Sequence, residues 1–157
     1  MKRCLLATFT IFLLAVSPSL ASSGDLAIIV NQDNPTSDLS LKELVKIFKQ
    51  EKQHWENGQK IYLVMLEAGT REKTLALKYI YKLPDEELKK YWLGKVFRQE
   101  IASFPHTVTS CETAKRFISQ APNAIGAIDQ ALADPRVKIL KIDGKLPGQN
   151  GYPLSDQ

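Results

Sequence analysis

The sequence predicts an α/β layer, with helices on both sides of a largely parallel sheet. Three observations lead there. Short apolar runs alternate along the chain with segments of helical period. The first of those runs is nearly continuous and rich in β-branched residues, as in strands covered on both faces. Capping and turn residues stand where one kind of segment gives way to the other.

The first strand is Leu26-Ala27-Ile28-Ile29-Val30, closed by Asn31-Gln32-Asp33-Asn34-Pro35. Ser40 and Glu43 then form a capping box, and Leu39 and Leu44 occupy the two positions of a hydrophobic staple. Leu41, Leu44, Val45 and Phe48 follow at helical spacing, so 41–50 is an amphipathic helix. After Asn57-Gly58 a second strand spans Ile61 to Leu66 and ends at Glu67-Ala68-Gly69. Thr70 caps a helix to about Tyr81, with Leu77, Ile80 and Tyr81 on one face. Pro84 suits the first position of the next helix, and Asp85, Glu86 and Glu87 lie in its first turn, where the helix dipole favours negative charge. Leu88, Tyr91, Trp92 and Val96 are its apolar stripe. Ser110 caps a fourth helix that buries Ala114, Phe117, Ile118 and Ala121 and stops at Pro122-Asn123. Residues 124–128 and 137–142 are later strands, the second alternating and so an edge strand with one wet face.

The N-terminus reads as an address. Lys2 and Arg3 precede an apolar run from Cys4 to Val16, then Ser17-Pro18 and Ser19-Leu20-Ala21, the order of a cleavable secretory signal peptide. The run is shorter than the roughly 20 residues a spanning helix needs, so stable membrane insertion is not expected. Residues 1–21 are therefore the signal and 22–157 a single domain, with a periplasmic destination. Removing 21 residues leaves 136 of the 157, and Lys2, Arg3 and Cys4 go with them. Net charge falls from +4 to +2, and Cys111 is the cysteine that remains, so no internal disulfide is available. The basic residues are scattered without interleaved aromatics, which disfavours nucleic acid as a partner.

Several separated pieces carry a resemblance. They are Leu39-Ser40-Leu41 through Ile47-Phe48 with Trp55 and Gly58; Ala68-Gly69-Thr70-Arg71-Glu72; Tyr91-Trp92 with Val96-Phe97 and Pro105; Ala121-Pro122-Asn123-Ala124-Ile125-Gly126; and Ile142-Asp143-Gly144, Pro147 and Gly151-Tyr152-Pro153-Leu154. In this order and spacing the chain resembles the phosphate ABC transporter substrate-binding proteins of the type II periplasmic binding protein superfamily. The resemblance spans about residues 25–154. It corresponds to the second lobe of a protein normally about twice as long, a short single-lobe form without the first lobe's Gly-Ser-Gly loop. It implies a mixed, mostly parallel sheet of about four or five strands with helices on both faces. The partners it implies are phosphate or a similar oxyanion and an ABC transporter permease.

The residues support such a site independently. A turn at the end of a buried strand that opens into a helix aims backbone N–H groups outward, and the helix dipole adds positive charge. Ala68 and Gly69 supply the turn, Gly69 allows close backbone approach, Thr70 adds a hydroxyl, and Arg71 offers a planar fork for phosphate or carboxylate. Asn31, ending the first strand, is expected on the rim of the same edge. The same residues also suit an ordinary capped turn with a solvated arginine. Ala68 stands where the family has Ser, Val64-Met65-Leu66 lacks the family's Arg, and the adjacent Glu67 opposes an anion.

Other chemistry is thin. His54 and His106 have no Cys, Asp or Glu at ligand spacing, so no metal site is expected. Cys111 falls in a first helical turn, where the dipole lowers a thiol pKa, although a small packing residue also fits there. Trp55, Tyr91 and Trp92 suit either a groove or a core. No catalytic constellation is present, and neither an enzyme nor a cofactor is expected. Two functions follow: an exported oxyanion-binding module related to phosphate transport, or a ligand-free structural or protein-interaction module that kept the fold. The second calls for an exposed apolar patch beside the strand ends, with a homo-oligomer or a partner.

Overall fold

The computed structural model describes residues 24–156, and the signal expected over 1–21 lies outside them. Along the chain come β1 (Leu26–Asn31), β2 (Asp38–Leu39), α1 (Leu41–Phe48), β3 (Tyr62–Leu66), α2 (Arg71–Ala76), α3 (Asp85–Phe97), β4 (His106–Val108), α4 (Cys111–Gln120), β5 (Ala124–Asp129), β6 (Val137–Ile139) and β7 (Lys141–Ile142). Without a break, α2 continues as a π-helical segment, Leu77–Tyr81, so the expected helix to Tyr81 is present with its last turns widened.

The main sheet has five strands in the order β4-β3-β5-β1-β6. β3 pairs in parallel with β4 and β5, whereas β1 is antiparallel to both its neighbours, β5 and β6. Four strands therefore run one way and β1 against them, the mixed α/β sheet expected. A second, two-stranded sheet joins β2 and β7 in parallel.

Strand parity explains why the runs are apolar throughout. Leu26, Ile28 and Val30 of β1, Leu63 and Met65 of β3 and Ile125 of β5 pack with Leu44, Ile47, Phe48, Ile80, Tyr81, Leu88 and Trp92 from α1, the π segment and α3. The residues between them, Ile29, Val64, Leu66, Ala124 and Ile128, pack with Ala114 and Ile118 of α4 on the opposite face. Both faces are dry, so alternation has no polar half to display. Gly126 sits where the layers are tightest: a Cβ there would lie 3.0 Å from Ile118 Cδ1 and 3.1 Å from the Val64 carbonyl oxygen.

The capping box of α1 forms as expected, with the Glu43 amide donating to Ser40 Oγ at 3.2 Å and the Ser40 amide to Glu43 Oε2 at 3.3 Å. Thr70 and Ser110 cap α2 and α4. Pro84 is one position earlier than expected: its φ −62°, ψ 155° make it the extended N-cap of α3. The strand expected over 137–142 divides at Leu140. Val137 belongs to the α4-side core, while Leu140 and Ile142 fill the other core, so the chain must turn between them. β6 is nonetheless the edge strand of the main sheet, as expected. Trp55 and Trp92 are buried in the core, and the Trp55 indole donates to the Asn123 carbonyl at 3.1 Å.

Candidate functional site

The carboxyl ends of β3, β4 and β5 form one edge of the sheet, and the helices α2 and α4 begin there. In open α/β sheets this is where ligands bind. Residues 67–69 are exposed, and Gly69 takes φ +91°, a conformation that favours glycine, with no atom within 4 Å of where a Cβ would stand. The amides of Ala68, Gly69, Arg71 and Glu72 donate to none of the described residues, which leaves four backbone donors of the turn and first helical turn without a partner among them.

The side chains of the turn are more committed. Thr70 Oγ1 accepts from the Lys73 amide at 3.2 Å and donates to the Glu67 carbonyl at 2.9 Å, so the hydroxyl is used as a cap. The Arg71 fork turns along the edge instead of over the turn. Its Nη1 lies 2.9 Å from Asp129 Oδ2, and Nη2 donates to the Gly24 carbonyl at 2.8 Å and to Asp156 Oδ2 at 3.4 Å. Ala68, Gly69, Thr70 and Arg71 are thus together, with the guanidinium neutralised in place.

Asn31 requires a correction. Because β1 runs antiparallel, Asn31 lies by the amino ends of β3 and β5, the edge opposite the turn. It is buried there, donating to the Ile118 and Ser119 carbonyls at 2.9 Å each and accepting from the Asp33 amide. Gly24 and Asp25, at the start of β1, take the place expected of it. Sequence reasoning also missed Asp129 and Asp156. Asp129 closes an apolar strand and Asp156 follows Tyr152-Pro153-Leu154, and neither has a local motif to mark it.

Cys111 occupies the first turn of α4, and its thiol donates to Glu72 Oε1 at 3.2 Å. Burial pushes the thiol up to about 11; Glu72 adds to this, while a hydrogen bond from the Asp129 backbone opposes it. With the thiol buried and raised rather than lowered, the residue suits a packing role. His106 stacks on Phe117 with ring centroids 4.5 Å apart, and no group of His, Cys, Asp and Glu suited to a metal occurs among the described residues. The largest exposed apolar side chains lie mostly away from the turn. Leu93 and Phe97, 61% and 87% exposed, are one turn apart on α3, and Tyr62 and Phe104 lie at the amino edge.

No family model matches the sequence, and no curated protein does. Solved structures do match. One, from Vibrio cholerae, is an ABC-type phosphate transport receptor: TM-score 0.67, 22% identity, over 83% of this chain and 53% of that one. This chain has the fold of a type II periplasmic binding protein lobe. PstS from Borrelia burgdorferi aligns with TM-score 0.66 and 18% identity, over 83% of this chain and 54% of its own. A protein from Clostridium perfringens described as a phosphate ABC transporter substrate-binding protein, solved with phosphate bound, aligns with TM-score 0.64 and 21% identity over 78% and 46%. The chain spans about half the length of the structures it matches, as the sequence resemblance implied.

Proposed function

We propose that this chain is an exported oxyanion-binding module related to phosphate transport, holding phosphate or a similar oxyanion on the 68–71 turn. The observation that carries the reading is the set of four amides, at Ala68, Gly69, Arg71 and Glu72 by the carboxyl end of β3, that donate to none of the described residues. Backbone donors at a strand-to-helix turn suit phosphate oxygens without a side-chain partner. Arg71, already paired with Asp129 and Asp156, borders the bound anion and leaves its direct contacts to the backbone amides. With water on the open side, binding is weak. A periplasmic location and delivery to an ABC transporter permease belong to this reading. No described helix is long and apolar enough to cross a membrane.

The test is an amide NMR titration of the residue 22–157 protein with sodium phosphate at constant ionic strength. Millimolar phosphate is expected to shift the Gly69 and Glu72 amides together and to raise the melting temperature. Unmoved amides and a flat melting response to phosphate, sulfate and arsenate overturn the reading.

A second reading, a protein-interaction module that kept the fold, would use the exposed Leu93 and Phe97 pair on α3 in place of the patch expected beside the strand ends. It expects self-association that Phe97→Glu abolishes. A protein that sediments as a monomer at high concentration removes it.

A further inference from the structure

We propose that Arg71, Lys78 and Tyr79 form an anion cradle for a singly charged oxyanion, and that the chain fills it with its own Asp156 carboxylate. Arg71 opens α2, and Lys78 and Tyr79 lie about two turns further along the same continuous helix, roughly 10 Å away by helical rise. Their long side chains converge on one carboxylate. Oδ1 of Asp156 accepts from Lys78 Nζ and from the Tyr79 hydroxyl, each at 3.2 Å, and Oδ2 accepts from Arg71 Nη2 at 3.4 Å. Lys78 Nζ also stands 4.7 Å from the centre of the Tyr79 ring.

Arg71 stays in position without Asp156. Arg71 is fixed from the other side by Asp129 and by the Gly24 carbonyl, so losing the tail contact leaves its fork aimed at the same place. The charge count then gives the ligand class. Arg71 and Lys78 bring two positive charges and Asp129 one negative, so an empty cradle carries one net positive charge and is neutralised by a monoanion. Dihydrogen phosphate and a carboxylate both qualify.

The occupant is lightly held. The last firm anchor of the tail is Leu154, fully buried, whose carbonyl accepts from the Leu26 amide at 3.1 Å. Beyond it, the Ser155 hydroxyl is buried without a partner among the described residues, which works against the docked conformation. Asp156 itself is held by surface contacts that solvent screens. A tethered carboxylate of this kind competes with millimolar ligand rather than excluding it.

The inference rests on the reading of the 68–71 turn only through Arg71, which both sites border. The experiment separates them by measuring phosphate binding at two places: the Gly69 amide for the turn and the Tyr79 ring protons for the cradle. Asp156→Asn is expected to tighten the phosphate response of Tyr79 about fivefold, since exposed pairs of this kind bias an equilibrium by roughly that factor. Adding Lys78→Gln should remove the gain. Asp33→Asn, which makes the same charge change at the opposite edge, should produce none. Equal Tyr79 responses in the unaltered protein and Asp156→Asn overturn the cradle, as does a gain that survives Lys78→Gln or appears equally in Asp33→Asn. A silent Gly69 beside a responsive Tyr79 removes the turn reading and leaves the cradle standing.

Discussion

Alkylation of Cys111 in the folded protein is expected to be about 100-fold slower at pH 8 than alkylation of an ordinary thiol. The magnitude comes from the surroundings of the sulfur: its pKa rises from 9.0 to about 11, and well below both values each unit removes a factor of ten from the thiolate fraction. Burial is the largest cause and Glu72 a smaller one, so Glu72→Gln should restore only part of the rate, about three- to tenfold. The assay is iodoacetamide labelling followed by intact mass across pH, with the urea-unfolded chain as the reference. The thiolate is also a built-in anion at the carboxyl edge, at the start of α4 and hydrogen-bonded to the first turn of α2. A labelling midpoint at or below that of the unfolded chain would mean that the two helix N-termini outweigh desolvation and Glu72. That result would refute the account of this edge as only weakly receptive to negative charge.

Gly126→Ala should destabilise the fold by about 1–3 kcal/mol in urea titration, because the added methyl meets the Val64 carbonyl at 3.1 Å and a backbone atom cannot step aside. A neutral result would show that β3 and β5 can separate there. Ser40→Ala removes the acceptor of the Glu43 amide and should cost about 1 kcal/mol, measured the same way. Acid lability should centre on the Glu112, Lys115, Asp134 and Arg136 cluster. Arg136 and Lys115 hold Glu112 down to about 2 from 4.5 and hold Asp134 below the usual carboxylate range. Since both acids are depressed in the folded protein, their stabilisation is complete above 4.5 and fades as pH falls toward 2. The melting temperature should therefore drop more steeply below about pH 4.5 in the unaltered protein than in Arg136→Ala, and parallel slopes would remove the cluster from the explanation.

The sequence was most informative where a local pattern determines structure. Ser40 and Glu43, Thr70, and Ser110 each mark a helix start by a hydrogen bond within three residues, and all three caps form. The buried strands β1, β3 and β5 were legible because both their faces are dry. β4 was not, since His106 and Thr107 are exposed and only Val108 is buried. β2 was missed for a similar reason: it is two residues long and exists through its pairing with β7. The direction of β1 decided the fate of the site residues. Nothing within Leu26–Asn31 states whether its neighbours run with it or against it, because register and direction are set by β5 and β6, far along the chain. Asn31 consequently moved to the opposite edge, and Gly24 arrived beside Arg71. The Ala68–Arg71 turn was legible as a turn, but the engagement of its arginine by Asp129 and Asp156 depends on contacts 58 and 85 positions away.

The same antiparallel placement of β1 governs the order in which the protein can fold. Leu26 finds its partner in Asp129 and Asn31 finds its own in Val137, each more than a hundred positions later. During synthesis at about 5–20 residues per second, that interval lasts on the order of 10 s. Through it a strand apolar but for Asn31 waits with no partner on either side. An interior strand of the finished sheet is the first made and among the last satisfied, so folding is expected to be slow for the chain's size, with the β1–β5 ladder closing late.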